Sequence, residues 1–289
     1  MKKIIQRLVV FFIGLPVVLS LILVFPHFNH LLLNLVITVF SILGAMEFKN
    51  ILAQKNLIIT TPEAAVLGAI GPLTWTLVIS FGVTWYIVPA AFALGAIWLL
   101  VSRLFVSAEK LDSYILHIVA GFAVMVYPGF FSAWMIKMAG FREAAMVILI
   151  FFLLTLLNDA AAWLTGMLFG KGNRGVVAAS PNKSLAGFIG GLLVSMLTVV
   201  VATLLIPSAF TSTVMPSIPA GFLLGLFAGA AATIGDLSES GIKRSADVKD
   251  SGAIILGRGG ALDSEDSLLL AAPVYFLLYR VLFEIQIII

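Results

Sequence analysis

Asp236 and Asp263 lie near the two ends of the one stretch, residues 235–267, in which this hydrophobic chain crowds charges of both signs, among them Glu239, Lys243, Arg244, Lys249, Asp250, Arg258, Glu265 and Asp266. Carboxylates are hard oxygen donors. Mg²⁺ is usually held by one or two of them, with substrate phosphates completing its shell. Asp236 closes one apolar segment and Asp263 shortly precedes the next, so in a helical hairpin the two would meet near a membrane surface. Lys243, Arg244 and Lys249 could then neutralise phosphate oxygens as charge develops during transfer. Gly257, Gly259 and Gly260 flank Arg258 and would let the backbone approach a ligand closely. The competing reading is a solvated loop of balanced charge, since Asp250 follows Lys249 directly and Asp266 lies three residues after Asp263.

A second polar cluster lies upstream, in "LLNDAAAWLTGMLFGKGNRGVVAASPNKSLAG", residues 156–187. Asn158 and Asp159 fall more than halfway along an apolar segment, where a carboxylate is expensive and is usually functional or paired. A helix-packing role satisfied by a neighbour is the alternative. Beyond them come Lys171, Arg174, Ser180, Asn182, Lys183 and Ser184, cations interleaved with hydroxyls, which suits a phosphate-bearing partner. "GMLFGKG" is not a phosphate-binding P-loop: it is one residue short before Gly-Lys, and no Ser or Thr follows the lysine.

The elements that must position these residues are apolar. Of 289 residues 61% are hydrophobic and 11% charged, and the mean hydropathy is +1.15. The sequence predicts an all-α polytopic integral membrane protein with about nine transmembrane helices. They run approximately over 8–25, 31–48, 64–81, 83–105, 115–138, 145–169, 185–206, 219–234 and 268–289, each near the ~20 residues a bilayer requires. The break between the third and fourth is the weakest, marked by little besides Gly82. Residues 1–143 form an N-terminal region of spans one to five. Residues 144–289 form a C-terminal, catalytic region of spans six to nine with polar loops 170–184 and 236–267. Lys and Arg recur in alternate connections, with Lys137 and Arg142 as the exceptions. The positive-inside rule therefore puts the N-terminus in the cytoplasm and both polar loops on the cytoplasmic face of a cell (inner) membrane. The basic, then apolar, N-terminus reads as an uncleaved first span rather than a signal peptide.

Cysteine is absent, which excludes disulfides and thiolate metal sites. The net charge of +3 carries no basic tract for nucleic acid. The histidines, His27, His30 and His117, do not cluster and read as structural. Gly221, Gly225 and Gly229, four apart, with Gly187 and Gly191, permit close helix approach. Packing of spans seven and eight is expected from them, with a homodimer seam as the alternative. Arg280 and Glu284 are spaced to pair along the last helix.

At these residues the chain resembles the phosphatidate cytidylyltransferase family, also called CDP-diacylglycerol synthases. Its signature runs, in outline, Ser-x-apolar-Lys-Arg, four residues, Lys-Asp-x-small, then Pro-Gly-His-Gly-Gly-apolar-x-Asp-Arg-apolar-Asp. Here it stands in register as "SGIKRSADVKDSGAIILGRGGALDSED", preceded by "GDL". "NDAAAWLTGMLFGK" and "SPNKSLAG" look like the family's upstream blocks. The likeness covers about residues 150–280. Leu256 stands for Pro, Arg258 for His, Ser264 for Arg, Glu265 for an apolar residue and Ala186 for Glu.

The resemblance implies transfer of CMP from CTP to phosphatidate, a membrane lipid, giving CDP-diacylglycerol and pyrophosphate. It places the family's two metal-binding aspartates on Asp236 and Asp263. Mg²⁺ is the expected cofactor, with a second cation left open. Catalytic roles fall on Asp236, Asp263, Lys243 and Arg244. Substrate contacts fall on Ser180, Lys183, Lys249, Asp250, Arg258, Asn158 and Asp159. Two rivals remain. Asp159 within a span and the glycine-interrupted helices would also suit a transporter or lipid carrier, although the polarity crowds one face and no inverted repeat is visible. The signature's departures would suit an inactive regulatory paralogue.

Overall fold

A computed structural model describes residues 2–104, 111, 113–212, 214–255 and 259–284. The described residues are helices and loops, with two isolated backbone bridges, Arg174 to Ser184 and Ile255 to Gly259. Each expected span contains a helix among its described residues. Among the described residues seven helices are long and apolar enough to cross a membrane, against nine expected. One apolar helix, Ile87–Val101, is shorter. At 1.5 Å per residue it reaches only about 22 Å, less than the ~30 Å hydrocarbon core.

The chain packs as two units: Met1–Lys137 with Ile242–Glu265, and Met138–Gly241 with Asp266–Ile289. The first holds α1 (Lys2–Leu23), α2 (His27–Ala53), α3 (Thr61–Phe81), α4 (Ile87–Val101), α5 (Tyr114–Val124) and α6 (Phe131–Lys137). Helix α3 starts where its sequence says it should. Thr60 and Glu63 form a reciprocal capping box, with proline in the first turn. It stops at Gly82, whose φ of 67° is the left-handed helix terminator, so the weakly marked break is real. A π-helical turn, Met125–Phe130, joins α5 to α6 around Pro128, which has no amide to donate. Ser41 Oγ of α2 lies 2.9 Å from both Pro128 O and Gly68 O and ties α2, α3 and that turn together. Lys137, which broke the charge alternation, holds its ammonium over the rings of Trp134 and Trp75, 3.7 and 4.6 Å from their centres. It is part of an aromatic contact rather than a loop charge.

The second unit contains α7 (Ala144–Phe169), α8 (Leu185–Leu205), the short α9 (Pro207–Phe210), most of α10 (Ser217–Ser245) and most of α11 (Leu262–Phe283). Its glycines are contact points. A side chain at Gly225 would strike the α8 backbone at Ser195 and Met196, and one at Gly221 would meet Thr203. Gly187 and Gly191 face α7, at Ala162 and Asn158, rather than span eight. These small residues are thus consumed within the chain. At the far end Tyr275 donates to Val147 O and Tyr279 to Ala209 O. The Glu284 carboxylate accepts the Arg142 backbone N–H at 2.8 Å and also feels the Arg280 charge. Burial pushes that carboxyl above the usual range, against the opposing pull of the Arg142 amide and the Arg280 charge.

Two boundaries move. Helix α10 continues to Ser245, and α11 begins at Leu262 instead of 268. Asp236, Glu239, Lys243 and Arg244 are therefore helical, as are Asp263, Glu265 and Asp266. The expected loop 236–267 shrinks to residues 246–261.

Candidate active site

The expected acidic residues are each met by a lysine, one pair in each unit. In the second unit Lys183 Nζ donates to Asp236 Oδ2. The loop that delivers Lys183 is tied to its own ends. Gly175 N donates to Lys183 O at 3.2 Å, Leu185 N to Asn173 O at 3.0 Å, and Lys183 N to Ser180 O at 3.1 Å. Gly172 and Gly175 take the left-handed conformations these turns need, with φ of 87° and 79°. Ser184 caps α8, accepting Gly187 N at 3.1 Å. The Lys183–Asp236 pair remains partly open to solvent, its side chains 29% and 26% exposed.

In the first unit Lys243 Nζ donates to Asp263 Oδ1 at 2.5 Å, and this pair is mostly buried, its side chains 12% and 8% exposed. Asp263 Oδ2 accepts two backbone amides, Ser251 N at 2.9 Å and Gly260 N at 2.7 Å. Gly259, with φ of 112°, lies so close that a Cβ there would collide with the Asp263 carboxylate. Gly259 and Gly260, expected to bring backbone near a ligand, thus bring it near the chain's own carboxylate, while Gly257 lies outside the described residues.

The other expected residues have their own surroundings. Asn158 is buried, and its amide is spent on helix contacts. Nδ2 donates to Ser195 Oγ at 2.8 Å and to Gly229 O at 3.3 Å, while Oδ1 accepts from Thr233 Oγ1 at 3.3 Å. Its neighbour Asp159 is exposed and accepts Ser267 Oγ at 3.2 Å. Arg244 is exposed and reaches back to Val248 O, where it closes the end of α10. Lys249 and Asp250 are exposed, and Ser180 is half-buried in the turn before Lys183. Arg258 lies outside the described residues.

Sequence reasoning missed Glu47. This α2 carboxylate is 4% exposed and accepts Ser251 Oγ at 3.0 Å, Ala261 N at 3.1 Å and Leu262 N at 3.0 Å. The rule that flagged Asp159, a carboxylate within an apolar segment, applies equally to Glu47. It lies near the end of the predicted span 31–48, close before Lys49, where a carboxylate stands out least.

The donor chemistry fits a hard divalent cation. Among the described residues Asp263 Oδ2 accepts two amides and Oδ1 the lysine. Asp236 likewise meets a lysine at one oxygen. An ammonium already stands at each carboxylate, so both environments are built to face positive charge. Among the described residues no three His, Cys, Asp or Glu side chains gather into a metal-enclosing group. Mg²⁺ does not require one when phosphate oxygens complete its coordination.

The protein is 35% identical over 162 residues to "Uncharacterized protein YnbB" of Escherichia coli (strain K12), covering 55% of this chain and 52% of that protein. It is 40% identical over 131 residues to a phosphatidate cytidylyltransferase of Staphylococcus aureus (strain COL), covering 45% and 48%. It is 39% identical over 126 residues to one of Staphylococcus haemolyticus (strain JCSC1435), covering 44% and 46%. The chain thus spans about half the length of the curated relatives it matches. The model of the cytidylyltransferase family matches residues 5–282, and with nearly the whole chain inside that match, the chain belongs to the cytidylyltransferase family.

Proposed function

We propose that the protein is a phosphatidate cytidylyltransferase of a cell membrane, transferring CMP from CTP to phosphatidate and releasing pyrophosphate. The observation that carries this reading is the in-register signature over residues 240–266, supported by its Lys243–Asp263 pair and the Lys183–Asp236 pair. An oxygen of the lipid phosphate attacks the α-phosphorus of CTP. The new P–O bond forms as the bond to the β-phosphate bridging oxygen breaks, and pyrophosphate carries away that electron pair. The attacking phosphate is already ionised near neutral pH, so no general base is needed. The barrier lies in bringing two anions together, and positive charge lowers it.

In this reading Asp236 and Asp263 hold Mg²⁺, which when bound supplies charge that offsets this repulsion. Lys243 and Lys183 pass from carboxylate to phosphate oxygens as nucleotide enters, and Arg244, Lys249 and Arg258 offer further cations toward the polyphosphate. Substrate contacts are assigned to Ser180, Asp159 and Asp250, and the reaction to the cytoplasmic face of the inner membrane, within the C-terminal region 144–289. The test is purified protein in detergent with phosphatidate, labelled CTP and Mg²⁺, scored for lipid-linked CMP. Asp236→Asn and Asp263→Asn should each abolish Mg²⁺-dependent product while the protein stays folded. Full turnover in either variant would remove the metal assignment. Absence of product from the unaltered protein would favour the inactive paralogue.

A further inference from the structure

We infer that Glu47, contributed by the second helix far upstream of the signature, is a positioning residue that fixes the Asp263 turn in register for the reaction. The inference rests on the proposed transferase reading for its effect on turnover, and on geometry alone for its effect on structure.

A helix begins with amides that have no partner within it. At the start of α11 these are taken from outside. Glu47 accepts Ala261 N and Leu262 N, one on each carboxylate oxygen, and Ser251 Oγ accepts Asp263 N at 3.2 Å. Ser251 joins the two acids. Its hydroxyl donates to Glu47 Oε2 at 3.0 Å, while its amide donates to Asp263 Oδ2 at 2.9 Å. Glu47 therefore does not touch Asp263 Oδ1, the oxygen that Lys243 holds. It holds the residues that aim Asp263.

The glycines nearby show how closely the turn is wrapped around Glu47. A Cβ on Gly252 or on Gly260 would overlap the Glu47 carboxylate, and one on Gly260 would also overlap Ser251 Oγ. The arrangement is satisfied rather than accidental. Three donors converge on a 4%-exposed carboxylate, and the positive end of a helix faces it. Groups one step removed from a reacting centre typically contribute about 10- to 100-fold through orientation.

The experiment compares Glu47→Gln, Glu47→Asp and the unaltered protein in detergent by two measurements. The first is hydrogen–deuterium exchange of the 259–264 segment without nucleotide or metal. Glu47→Gln keeps the shape but replaces one acceptor by a donor, so exchange at Ala261 and Leu262 should quicken while segments of α7 and α8 stay as they were. The second is turnover with CTP, phosphatidate and Mg²⁺. The kcat should fall about 10- to 100-fold with a smaller change in KM for CTP, and Glu47→Asp should recover part of both signals. Unchanged exchange in Glu47→Gln would overturn the inference. So would a loss of kcat accompanied by faster exchange throughout every helix, which is the mark of a general structural role. If the unaltered protein makes no lipid-linked CMP, the transferase reading falls, and the exchange measurement still decides whether Glu47 holds the turn.

Discussion

Burial separates the two lysine–carboxylate pairs. Lys243 and Asp263 are 12% and 8% exposed, so removing the lysine leaves a carboxylate in a poorly solvated place. Breaking a buried pair from one side costs about 3–5 kcal/mol. Lys183 and Asp236, at 29% and 26%, retain water, and their pair should contribute no more than about 1 kcal/mol. Thermal melts in detergent should therefore show Lys243→Ala clearly destabilised and Lys183→Ala close to the unaltered protein, although both lose turnover. Equal melting temperatures would show that burial does not set the difference. Glu265 presents the opposite case. It is 4% exposed, its Oε2 has no hydrogen-bond partner among the described residues, and it lies beside the Glu47 charge, at a position where the resembling family has an apolar side chain. An unsatisfied buried polar group costs about 1–3 kcal/mol, so Glu265→Leu should raise the melting temperature, and a lowered one would mean that the carboxylate is needed. The residue types at Asp236, Asp263 and Lys243 were legible because carboxylates and cations are rare in this chain. Their partners were not, because the Lys183–Asp236 and Glu47–Leu262 contacts join residues far apart in sequence.

Hydropathy reports where apolar side chains end, not where hydrogen-bonded turns end. The segment 219–234 was therefore read as a span with a polar loop behind it, when α10 continues to Ser245. Likewise 262–267 looked like loop because it is acidic, when acids in a first turn are what a helix N-terminus favours. Gly82 and the Thr60–Glu63 box were legible because capping chemistry is local. The glycine rows were legible as contact surfaces but not as to partner. Gly221 and Gly225 meet α8 as expected, whereas Gly187 and Gly191 meet α7. Asn158 belongs to this scale, since one amide links α7 to α8 and α10. Side-chain hydrogen bonds between membrane helices average about 0.6 kcal/mol, with a ceiling near 1.7. Asn158→Ala should thus lower stability by about 1–2 kcal/mol while KM for CTP stays unchanged below the melting range. A raised KM with an unaltered melt would return Asn158 to the substrate.

For the molecule as a whole the decisive physical quantity is which side of the membrane each polar segment faces. An enzyme joining a water-soluble trianion or tetraanion to a membrane-held anion needs its cations where apolar walls end, on the side that supplies the nucleotide. The proposed function requires 170–184 and 246–261 on the cytoplasmic side, where the alternating distribution of Lys and Arg would put them. Lys137, its main exception in the first half, is taken up by two indole rings. The chain contains no cysteine, so single cysteines can report sidedness without background. Lys171→Cys and Lys249→Cys, both at exposed positions, should react with a membrane-impermeant maleimide in inside-out vesicles and not in intact cells. Thr84→Cys, in the cation-free connection after α3, should show the reverse. Labelling of residues 171 and 249 from opposite sides would separate the two lysine-bearing segments and end the case for one site served by both. Labelling of both from outside would keep the site but invert the topology, and CTP could then not reach it from the cytoplasm.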